Sequence, residues 1–227
     1  MTTTGTLGFE SRYLFRGLEL SQESFQPAVT FAKGGLSATA WFNFPIDNAD
    51  PVARRGEELD IVLSYAAPVS ETVKLEAGFT YYTYPERDRG FFDVFNEDGD
   101  GLGANSFEPY VAVAFTAPLS PKIYLFRDVF FDTTTVQGNL AHSIPLSDKA
   151  SFDLSGQIGY VFDDAGGADY LYGHALANVT YKVTDKASVY AGGRFGGSNI
   201  AGGGVIDGPG LRKSSGLWAG AGLTFSF

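Results

Sequence analysis

The groups in this sequence that could do chemistry are two histidines, one short acidic run and a scattered set of charges. His142 is followed directly by Ser143, a base next to a nucleophile, but neighbours on an extended chain point to opposite faces and cannot act on one substrate atom. His174 would need a serine from a neighbouring strand, and Ser155 and Ser188 are the available ones. A membrane-embedded lipid hydrolase would have to be built on that histidine, so no enzyme is expected. The run Asn96, Glu97, Asp98, Gly99, Asp100, Gly101, Leu102 places oxygens at alternate positions with a glycine sixth, like the opening of a calcium loop. Asn96, Asp98 and Asp100 would be the ligands. Where such a loop has its bidentate glutamate this chain has Phe107, with Glu108 one residue late. The other reading is a solvated acidic loop. No other cofactor is expected. The absence of cysteine removes disulfides and thiolate chemistry.

The remaining charges share a spacing: they occupy the polar phase of segments that alternate with period two, as strands with one apolar face do. In 151–162, Phe152, Leu154, Ile158, Tyr160 and Phe162 share one face, and Asp153, Ser155 and Gln157 share the other. In 73–84, Val73, Leu75, Phe79 and Tyr81 oppose Lys74, Glu76, Thr80 and Tyr82. Similar segments occur at 7–16, 36–44, 57–65, 107–116, 170–183 and 187–195. The polar phase collects Glu10, Arg12, Arg16, Glu58, Asp60, Lys74, Glu76, Glu108, Asp153, His174, Lys182 and Arg194. In 7–16 the same phase sends Tyr13 and Phe15 to the apolar side. Segment 121–131 resists, because either phase turns Arg127 or Asp128 outward, and a bulge is the expected remedy.

Composition says what these strands build. At 227 residues and 24.3 kDa, with 44% apolar residues and a mean hydropathy of -0.03, the chain has no run of about 18 apolar residues that could make a spanning helix. Strands that cross a bilayer need only about 9–11 residues and keep half their side chains polar. Twenty-nine glycines are close to twice the usual share of about 7%, and with 15% aromatics they suit a curved sheet with rings at the bilayer interface. The net charge of -10 argues against nucleic acid as a partner. The opening Met-Thr-Thr-Thr-Gly has neither a basic nor an apolar leader segment, so a signal peptide is expected to have been removed or never present.

Connections alternate as well. Short turns fall at 34–35, 68–72, 118–122, 145–149 and 184–186; between them lie connections at 18–24, 45–56, 85–106, 132–134, 163–169 and 198–214, all but one longer. That is the pattern of short periplasmic turns and longer extracellular loops, and it predicts one all-β domain, a transmembrane antiparallel up-and-down β-barrel of about twelve strands. The last segment, Leu217 to Phe227, alternates to its final residue, and Phe227 is the expected signal to the barrel-assembly machinery. The implied location is the outer membrane of a Gram-negative bacterium, in contact with its lipid.

The first strand reads Ser11, Arg12, Tyr13, Leu14, Phe15, Arg16, Gly17, followed by Ser21 and by Gln26, Pro27, Ala28. This opening resembles the TorF-type porin family, whose members begin with an aromatic strand ending in Phe-Arg-Gly and continue to a Pro-Ala. The resemblance covers roughly the first thirty residues and implies an outer-membrane channel, without naming a solute. Together with the polar inward faces it predicts passive diffusion of small hydrophilic solutes through a narrow lumen lined by the charges above. A barrel closed by its loops, acting as a receptor or structural protein, is the alternative, with those charges braced in pairs.

Overall fold

The computed structural model describes residues 1–46, 57–85, 105–206 and 212–227. Its strands are β1 (Thr2–Glu10), β2 (Tyr13–Phe15), β3 (Leu18–Ser21), β4 (Ser24–Lys33), β5 (Leu36–Pro45), β6 (Glu58–Pro68), β7 (Val73–Thr83), β8 (Ser106–Phe115), β9 (Lys122–Asp128), β10 (Thr133–Pro145), β11 (Ala150–Asp163), β12 (Tyr170–Thr184), β13 (Ala187–Ser198), β14 (Val205–Ile206), β15 (Arg212–Lys213) and β16 (Ser215–Ser226). Twelve of them, β1, β4 to β13 and β16, close into an antiparallel barrel, with sequence neighbours paired throughout and β16 returning to β1. The seam runs from Thr4 opposite Ser226 to Glu10 opposite Gly220. Closure pairs each of the twelve barrel strands on both sides, so the wall presents no open sheet side to lipid.

Alternation sorts the side chains. Leu63, Leu75, Val111, Ile123, Leu140, Ile158, Val179, Phe195 and Leu217 are exposed on the outer surface, an apolar coat that water would not sustain but lipid does. Buried residues lie inside, and many are polar: Asn43, Glu58, Ser106, Glu108, Asp128, Thr135 and Arg194. The short turns and both termini sit at one end, and the longer connections at the other.

Two expectations are corrected. The barrel strand does not run through 7–16: it ends at Glu10, and Tyr13–Phe15 pairs instead with Leu18–Ser21 as a separate two-stranded hairpin. Arg16 and Gly17 form its two-residue turn, both with positive φ (48° and 76°), the geometry whose twist suits a tight hairpin. The second correction concerns β9, whose pairing with β8 and β10 is regular, so no bulge rotates Arg127 inward. Arg127 faces outward at the loop end, where Asp132 and Asp164 pair with it and Thr134 accepts a further hydrogen bond. At the rim an arginine avoids the midplane cost of about 2–4 kcal/mol.

Candidate functional site

The hairpin β2–β3 folds into the lumen, and this decides the interior. Tyr13 and Phe15, expected to face lipid, are inside: the Tyr13 ring packs on Trp41 of β5 at 5.2 Å, and Phe15 meets Tyr82 of β7 edge-on at 5.8 Å. An aromatic strand satisfies its apolar face as well against lumen rings as against lipid, so alternation alone could not distinguish the two. Leu18 packs with Ile200 against Val161, Tyr170 and Tyr172. Asn43 donates to the Ser21 hydroxyl at 3.3 Å, and Ser198 donates to the Gly17 carbonyl at 3.2 Å. Gly17 is required on two counts: its φ is left-handed, and a Cβ would stand 2.4 Å from the Gly197 carbonyl oxygen.

At the tip, Arg16 meets Glu108 of β8 at 2.7 Å, with side chains 8% and 1% exposed. The guanidinium lies 4.8 Å from the Phe15 ring centre and 5.0 Å from that of Phe126, and Tyr82 donates its hydroxyl to the same Glu108 at 2.9 Å. A left-handed arginine costs about 1–2 kcal/mol, which this arrangement offsets. Arg12 stays on the hairpin, 3.6 Å from Glu19, and is not part of the barrel wall.

The other expected residues fall into two tiers. On the loop side Arg194 donates to both oxygens of Glu10 at 3.0–3.2 Å, tying β13 to β1 across β16. Gly220 leaves the space for that pair, since a Cβ there would lie 2.2 Å from the Glu10 carboxylate. Glu58 accepts the Tyr84 hydroxyl at 3.1 Å, and Asp60, opposite Tyr82 in the ladder, has its own contacts. His174 stacks on Trp218 at 5.1 Å. The ladder sets Gln157 against His174, Ser155 against Leu176 and Ser188 against Lys182, so it brings neither serine opposite that histidine. On the turn side Glu76 accepts from Lys122 and Tyr110, both at 2.8 Å. Asp153 accepts from Ser143, Ser151 and Thr180. Lys74 and Lys182 stand more exposed near that end. His142, one residue out of phase with Ser143, faces outward. Asn96, Asp98 and Asp100 lie outside the described residues, and Glu108 is committed to Arg16 and Tyr82.

Sequence reasoning missed the hairpin, Lys122, Asp128 and Trp218. The signal for the hairpin was present: Arg16-Gly17 between two short alternating runs is a turn sequence. Lys122 and Asp128 share a phase with Tyr124 and Phe126, which the uncertainty over Arg127 obscured.

An apolar coat, a polar interior with paired charges, and turns opposite loops define a twelve-stranded barrel of the outer-membrane type. The chain belongs to the family described as "Bacterial protein of unknown function (Gcw_chp)", whose profile matches residues 1–189. Among solved structures it is similar to the KdgM porin in complex with disordered oligogalacturonate, with 11% identity over 100% of this chain and 99% of that one and a TM-score of 0.60. It is also similar to the NanC porin (12%, 98% of each chain, 0.58) and to an outer membrane channel from Pseudomonas putida (10%, 100% and 95%, 0.52). At these identities the likeness is one of fold. No curated protein matches the chain.

Proposed function

We propose that this barrel is an outer-membrane channel for passive diffusion of small hydrophilic solutes, narrowed on the loop side by the hairpin β2–β3. The observation that carries the reading is the composition of the interior. The turn-side half is lined by hydroxyls, amides and the Glu76–Lys122 pair, and the described segment that narrows the loop-side half is the nine-residue hairpin Tyr13–Ser21, a local constriction above a polar lumen. A lumen that only braced a closed barrel would gain more from apolar packing, because buried ion pairs contribute little net stability. The fold shared with two porins and an outer membrane channel, and the TorF-type resemblance of the opening segment, support the same reading.

A second reading, a closed receptor-like or structural barrel, is favoured by the docked Arg16–Glu108 pair. Planar-bilayer recording decides between them. The channel reading expects small, stable single-channel steps from the folded protein and larger ones when the hairpin is unlocked. Silence from both the native protein and a folded unlocked variant, at all voltages, would leave the closed barrel.

A further inference from the structure

A cavity of about 270 Å³ lies at the loop-side end between the hairpin and the wall formed by β6, β7 and β9 to β12. Leu18, Val161 and Ile200 give it an apolar side, while Phe15, Tyr82 and Tyr170 present rings. Asp128 and Asp163 reach it from the rim. The register sets Thr133 of β10 opposite both, Asp128 on one neighbouring strand and Asp163 on the other, so the two carboxylates flank one threonine about 10 Å apart at two strand spacings.

Each carboxylate is held by one oxygen. Oδ1 of Asp128 accepts from Ser106 and from the amides of Phe130 and Phe131; Oδ1 of Asp163 accepts from the amides of Ala165 and Gly167. Among the described residues Oδ2 of each has no protein donor. Arg16 also lines the cavity, but its charge is spent on Glu108. Glu58 adds a third carboxylate to the lining, bonded to Tyr84.

We propose that this cavity binds a small organic cation, an ammonium group on an apolar body. Rings attract a cation through their electron-rich faces, the carboxylates of Asp128, Asp163 and Glu58 supply the counter-charge, and with Arg16 paired to Glu108 the lining disfavours an anion. At about 30 Å³ per water-sized group, the volume holds roughly nine non-hydrogen atoms. This deepens the channel reading by naming the solute class, and rests on that reading only for what the binding is for.

The test uses choline and its neutral isostere 3,3-dimethylbutan-1-ol, each titrated calorimetrically into the folded, detergent-solubilised protein. Choline should bind, and the alcohol at least about tenfold more weakly. Asp163→Asn and Asp128→Asn each keep the Oδ1 acceptor that orders the neighbouring turn, and each should weaken choline about tenfold while leaving the alcohol unchanged. Equal affinity for the two probes, or choline affinity unaltered in both folded variants, overturns the inference. Bilayer recording on the same preparation separates the two claims. Conductance without choline binding removes this inference and leaves the channel; choline binding without conductance supports the cavity and removes the channel.

Discussion

Replacing Arg16 by alanine tests whether the hairpin is a removable constriction. In the native protein its guanidinium is buried against Glu108 and between two rings. Removing one partner of a buried pair costs about 3–5 kcal/mol, because the other charge is left without compensation. Lost contact with Phe15 and Phe126 adds about 0.5–2 kcal/mol. The barrel ladder does not pass through Arg16, so this cost falls on docking of the hairpin and not on strand pairing. At 1.4 kcal/mol per factor of ten, a loss of about 3–5 kcal/mol raises the undocked population by roughly two to three and a half orders of magnitude. Single-channel recording should then show a larger unitary conductance or a much higher open probability, while the melting temperature of the barrel changes little. A folded Arg16→Ala protein with native conductance and open probability, but a lowered melting temperature, would mean that the pair braces the barrel. No change in either would refute the buried pair itself.

Gly17→Val should act in the same direction by another route, because a Cβ cannot fit beside the Gly197 carbonyl and the left-handed φ disfavours a branched side chain; conductance should rise with the barrel intact. Gly220→Val should push Glu10 away from Arg194 at the seam, lowering the temperature of the heat-induced mobility shift on electrophoresis, and an unchanged shift would show that the space is not needed. Arg127→Leu should alter stability by less than about 1 kcal/mol, since this rim arginine is 42% exposed in its pairs; a gain of 2 kcal/mol or more in folding into lipid would place it at the midplane instead. Phe227→Ala should lower the amount of barrel inserted in cells, measured by surface labelling, if insertion machinery reads that residue; native levels would discard the signal.

Much of the architecture could be read from the chain alone. Period-two alternation identifies strands of any barrel because the pleat itself has period two, and the alternation of short and longer connections orders them up and down without further information. This suffices for twelve strands, for Asp153, Glu76, Glu108 and Arg194 on the polar phase, and for both termini at the turn end. Only the tertiary structure decided what lies inside. Tyr13 and Phe15 show why: a period-two pattern says which residues share a face, but lipid and an aromatic lumen satisfy an apolar face equally, so the choice depends on Trp41, Tyr82 and Phe126 on strands distant in sequence. Arg16 was legible as inward, but its partner was not, because pairing with Glu108 across 92 positions exists only once β8 is placed in the barrel wall and the hairpin turns in from β1. The cavity depends on the same closure: Asp128 and Asp163 belong to separate segments of sequence, and ladder register alone sets them on either side of Thr133.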